Sequence, residues 1–117
     1  RFIIPLILAM TSLAQAEEKL FVATPLTQPK QFTPGIEGPQ CDKAGNVYAV
    51  NFEKQQTIGK VSPDGKAELF ITLPGKSTGN GIVFDAKGRM YIADYVEHNV
   101  LRVDMSSKKI EVFAHEP

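Results

Sequence analysis

An all-β fold follows from three features of the sequence. Glycine and proline, 9 and 8 of 117 residues, are spread along the chain rather than clustered. Short segments of alternating or continuous apolar residues recur between turn formers, the pattern of strands rather than of amphipathic helices. The segments also repeat, because residues 38–51 align with residues 81–94 at a constant offset of 43.

Taken in chain order, the first element is not part of the fold. Arg1 is followed by an apolar run, Phe2 to Met10, and by Ala14-Gln15-Ala16, a small-residue cleavage site before Glu17. A cationic start, a short apolar core and an A-x-A site make a secretory signal peptide over residues 1–16. The run is too short to cross the ~30 Å of a bilayer core as a helix. The expected location is secreted or periplasmic, with no membrane association after cleavage. A first residue other than Met implies a start further upstream.

Residues 17–35 read as the end of another unit. Lys30-Gln31-Phe32 resembles Glu68-Leu69-Phe70 and Glu111-Val112-Phe113. The expectation is an outer strand, given to a blade whose other strands lie elsewhere in a longer protein.

The first full unit spans about residues 36–74, with strands expected at 38–42, 46–51, 57–62 and 67–72. Asp42-Lys43-Ala44-Gly45 is its first turn: the carboxylate caps the turn and Gly45 takes a positive φ. Pro63-Asp64-Gly65 makes a later hairpin, with proline presetting φ.

The second unit spans about residues 79–117, with strands expected at 81–85, 89–94, 99–104 and 109–114. Gly81, Asp85, Gly88 and Tyr91 repeat Gly38, Asp42, Gly45 and Tyr48. With one residue of slack, Val100-Leu101-Arg102-Val103 repeats Ile58-Gly59-Lys60-Val61. Four strands in a unit of ~40–50 residues are the signature of a β-propeller blade. A two-sheet sandwich has no reason to repeat at this period. Two blades leave open faces and edges, so residues 17–117 read as the N-terminal part of a propeller. Six blades would need roughly 250 residues.

Composition removes several functions. Thirteen basic and thirteen acidic residues balance, so there is no basic footprint for nucleic acid. A single cysteine, Cys41, excludes an internal disulfide framework and a cysteine-rich zinc site. Cys41 is equivalent to Phe84 in the repeat and reads as a small core residue. Tyr48 and Tyr91 are expected to pack between blades. Asn51 and Asp94 are expected to tie turns by hydrogen bonds, with a ligand role as the lesser alternative, and His98 and His115 to lie on the surface.

The first strand of each propeller blade lines the central channel, so equivalent first-strand residues converge. Glu37 and Asn80 are equivalent, each preceding the glycine that opens its strand. A carboxylate and an amide oxygen suit a hard cation such as calcium. Glu-Gly and Asn-Gly are also ordinary turn pairs, and both readings stand on spacing alone.

Residues 36–116 resemble the opening blades of the senescence-marker-protein, gluconolactonase and luciferin-regenerating-enzyme family. The resemblance is carried by Gly35-Ile36-Glu37-Gly38-Pro39, Asp42 to Tyr48, Gly79-Asn80-Gly81-Ile82 with Asp85 to Gly88, and Tyr91 to Tyr95. It implies a six-bladed propeller that hydrolyses lactones or related esters with a divalent metal, calcium first and zinc as the other candidate. It implies a metal-ligand role for Glu37 and leaves Asn80 as a channel-lining or metal residue. The family's N-x-P-N-D motif and its acidic base do not occur in this chain, so no catalytic base is assigned. Asn46 to Asn51 and Met90 to Asp94, with His98 to Val103, also resemble NHL-type repeats. That alternative implies a non-catalytic platform for a partner or ligand. A metal-dependent propeller lyase is a further alternative.

Overall fold

The structure is a computed structural model that describes residues 21–117. The expected signal peptide, residues 1–16, lies outside the described residues. The chain forms two four-stranded antiparallel sheets, each with its strands in sequential order. The first contains β1 (Gln40–Cys41), β2 (Val47–Val50), β3 (Thr57–Val61) and β4 (Ala67–Thr72). The second contains β5 (Gly79–Phe84), β6 (Met90–Asp94), β7 (Asn99–Val103) and β8 (Ile110–His115). Every strand expected from the two full units is present. Only β1 is markedly shorter than expected, because Gly38 is left-handed at φ 53° and Pro39 has no N–H to donate to a ladder.

The turns form as their residues dictate. Asp42 Oδ1 accepts from the N–H groups of Ala44 and Asn46, both at 2.9 Å. Asp85 Oδ1 accepts from Lys87 and Arg89 at the same distances. Each carboxylate thus satisfies two backbone donors that the tight turn leaves over. Gly45 and Gly88 complete the turns at φ 83° and 77°.

The sheets meet through an apolar core. Tyr48, Val50, Ile58, Phe70 and Ile71 of the first sheet face Ile82, Met90, Ile92, Leu101 and Val103 of the second. Ile58, Met90, Ile92, Leu101 and Val103 are fully buried. Each such side chain contributes about 1.5–3 kcal/mol relative to exposure. Tyr48 packs edge-on against Phe70 at 5.0 Å and against Phe84, across the sheets, at 5.5 Å. Burial, with the Asp42 carboxylate accepting its hydroxyl at 3.2 Å, pushes the Tyr48 phenol up to about 12.

The repeat extends to packing. Tyr91 meets Phe113 edge-on at 5.1 Å, as Tyr48 meets Phe70. Tyr48 packs between the sheets as expected, and Tyr91 lies on the face of the second sheet turned away from the first. Its face, which also bears the exposed Val83, Val100 and Phe113, carries no third sheet among the described residues. Cys41 also departs from expectation, being exposed. Phe84 is covered because Tyr48 of the preceding sheet lies on it, and no sheet precedes β1 among the described residues.

Lys30-Gln31-Phe32 forms no strand. Phe32 makes one isolated bridge to Phe52, and their rings meet at 5.2 Å. Pro25, Pro29 and Pro34 remove ladder donors from this segment. Gly59 leaves room for the Phe32 ring, since a β-carbon there would stand 2.8 Å from it. The segment therefore docks on the loop after β2 and braces residues 51–53.

Candidate metal centre

Glu37, Asn51, Gln55, Asn80 and Tyr95 line one cavity of about 300 Å³, at the end of the sheets where β2 finishes and β5 begins. Glu37 comes from the loop before β1 and Asn80 from β5. Both are exposed. The pairing expected from the repeat is present, since the two residues border the same space. It is built by close backbone approach. A β-carbon on Gly38 would stand 2.6 Å from Gly81 Cα and closer still to the Asn80 carbonyl oxygen. Only glycine permits this contact at φ 53°. Gly79 is tightly packed as well, since a β-carbon there would stand 3.0 Å from the side chains of both Val50 and Ile92.

Asn51 and Asp94 occupy equivalent positions and behave differently. Asp94 ties its turn as expected. Its Oδ1 accepts from Thr78 N–H at 3.0 Å, Val96 N–H at 3.2 Å and Glu97 N–H at 3.3 Å. Its Oδ2 accepts from Asn99 Nδ2 at 3.3 Å. Burial opposes its ionisation, but the hydrogen bonds from Ser77, Thr78, Glu97 and Asn99 outweigh it and hold the carboxyl below its ordinary value.

The Asn51 side chain does not tie a turn. Its turn is closed without it: Asn51 N–H donates to the Thr57 carbonyl at 2.7 Å, and the single hydroxyl hydrogen of Thr57 is shared between the carbonyls of Phe52 and Lys54, which lie 2.6 and 2.7 Å from Oγ1. Thr33 N–H fills the Asn51 carbonyl at 3.0 Å. The residue is 9 % exposed, sits at φ 63°, and its buried Oδ1 has no hydrogen-bond partner among the described residues. An orphaned buried acceptor costs about 1–3 kcal/mol. The sequence signal for this was slight: an amide stands where the repeat has the carboxylate of Asp94. Gln55 carried no signal and Tyr95 stood only at the end of the Tyr91 to Tyr95 motif, because both enter the cavity from loops.

The donor chemistry is oxygen throughout. Glu37 supplies a carboxylate, and Asn51, Gln55 and Asn80 supply amides. Neither histidine nor Cys41 lines this cavity. His98 and His115 are exposed, as expected, and His115 Nδ1 lies 3.0 Å from Asn99 Oδ1. Such a set fits a hard cation better than zinc, which favours nitrogen and sulfur.

No protein-family model matches the chain. No curated protein matches it. Among solved structures it is similar to the selenomethionine-substituted virginiamycin B lyase of Staphylococcus aureus, with 18% sequence identity and a TM-score of 0.58. The likeness covers 71% of this chain and 27% of that one, so the chain spans about a quarter of that protein's length. At this identity the likeness concerns the fold, and that fold is a β-propeller. The resemblance to the gluconolactonase family rests on the sequence motifs alone.

Proposed function

We propose that this chain supplies the cation-binding side of the channel in a propeller hydrolase of lactones or related esters. The observation that carries the reading is Glu37: this residue of the Glu-Gly-Pro motif lines one cavity with Asn80 and with Asn51, whose buried Oδ1 has no partner among the described residues. Glu37 would hold a divalent cation, calcium by donor type, and offset part of its charge. Asn80 would add an amide oxygen from the equivalent position of the next sheet. A bound cation supplies Lewis-acid polarisation of an ester carbonyl. Tyr95 and Val50 line the same cavity.

A propeller lyase is the second reading, favoured by the likeness to virginiamycin B lyase. Turnover of lactones and esters by the full-length protein in ¹⁸O-labelled water separates the two. Hydrolysis places one labelled oxygen in the product acid. Elimination places none. Absence of any turnover, with calcium present, would favour the binding platform instead.

Residues 1–16 support an exported protein. Mass spectrometry of the mature N-terminus is expected to begin at Glu17, and a retained segment would contradict export.

A further inference from the structure

We infer that Asn51 is a further ligand of the cation, with its side-chain Oδ1 as the buried inner donor of the site. The inference rests on the reading of the Glu37 cavity as a cation centre and deepens it. Three observations carry it.

First, Oδ1 is buried and has no partner among the described residues, while both backbone polar groups of Asn51 are occupied. The side chain is therefore spare to its own turn, unlike that of Asp94. Second, the cavity collects acceptors: Glu37, Asn51, Gln55 and Asn80 line it, and among the described residues no lysine, arginine or histidine does. Acceptors gathered without a protein cation among them call for a positive partner from solution. Third, the residue is rigidly presented. Its N–H and C=O are pinned by Thr57 and Thr33, and its left-handed φ of 63° is one that asparagine tolerates. A residue with a held backbone and a buried side chain loses little freedom when it binds an ion, whereas the exposed Glu37 must be ordered. Asn51 sets the position of the ion and Glu37 supplies most of the attraction.

The experiment is calorimetric titration of calcium chloride into the full-length protein and three variants. Asn51→Gly removes the amide and accepts the positive φ without strain. Asn51→Asp keeps the shape, tolerates the same backbone and adds a charge. Glu37→Gln reports on the cation centre itself. Asn51→Gly is expected to weaken calcium binding about tenfold, and Asn51→Asp to bind at least as tightly as the parent. Melting temperatures with and without calcium check folding, since a ligand that binds only the folded state raises the melting temperature with its concentration. Unchanged affinity in both Asn51 variants, with weakened binding in Glu37→Gln, overturns this inference alone. No calcium binding by the parent protein overturns the cation centre and this inference with it.

Discussion

Gly38 and Asn80 are in backbone contact so close that no β-carbon fits between them. Gly38 lies in the loop before β1 and Asn80 in β5 of the second sheet, beside the candidate centre. The same contact sets the spacing of the sheets and the proximity of Glu37 to Asn80.

Gly38→Ala is therefore expected to harm stability and site together. The left-handed φ alone costs a non-glycine residue about 1–2 kcal/mol, and the clash with Asn80 and Gly81 adds to it. A loss of about 2 kcal/mol or more is expected in denaturant titration. Gly88→Ala, with a similar φ of 77° but nothing within 4 Å of its β-carbon, should lose only the conformational part. Equal losses would show that the Gly38 contact is slack.

The eight strands and their turns were legible because they depend on local chemistry. Asp42 and Asp85 announce their turns, and the repeat from Gly38 to Gly81 announces the sheets. What was not legible depends on stacking. Cys41 and Phe84 are equivalent in sequence, yet only Phe84 has Tyr48 above it. Asn51 and Asp94 are equivalent too, but the N–H groups of Glu53 and Lys54 donate to the Gln31 and Phe52 carbonyls, whereas those of Val96 and Glu97 donate to the Asp94 carboxylate, so the Asn51 Oδ1 is left without a donor. No periodicity encodes which groups a neighbouring loop will occupy. Glu37 and Asn80 were legible as a pair because the repeat places them at one end of adjacent first strands.

Acid should weaken the fold through the aspartates. Burial opposes ionisation of Asp42 and Asp94, but hydrogen bonds to Asn46 and to Ser77 and Thr78 outweigh it. Asp85 is held low chiefly by the Arg89 N–H. All three lie below the ordinary 3.8 in the folded state. Their contribution is complete above that value and is lost as pH falls through the lower folded values. Urea midpoints are expected to hold down to about pH 5 and to fall below about pH 4. Asp94→Asn should be less stable at neutral pH and lose less in acid. A midpoint independent of pH down to about 3 would contradict this.

The face bearing Tyr91, Val100 and Phe113 is apolar and open. Residues 17–117 expressed alone should self-associate or lack a cooperative thermal transition, because an uncovered apolar sheet face favours association. Sedimentation and calorimetry test this. A monomer with a sharp transition would show that the two sheets suffice by themselves.

The most direct test of the account is the affinity of calcium for the full-length protein and its Glu37→Gln variant, measured by calorimetric titration beside their melting temperatures. Glutamine keeps the size and one oxygen acceptor and removes only the charge. If Glu37 holds the cation, the variant keeps its metal-free melting temperature, binds calcium on the order of tenfold to a hundredfold more weakly, and regains part of its ester hydrolysis in excess calcium. Equal affinities in the two proteins would contradict the cation centre and leave Glu37 as an ordinary loop residue.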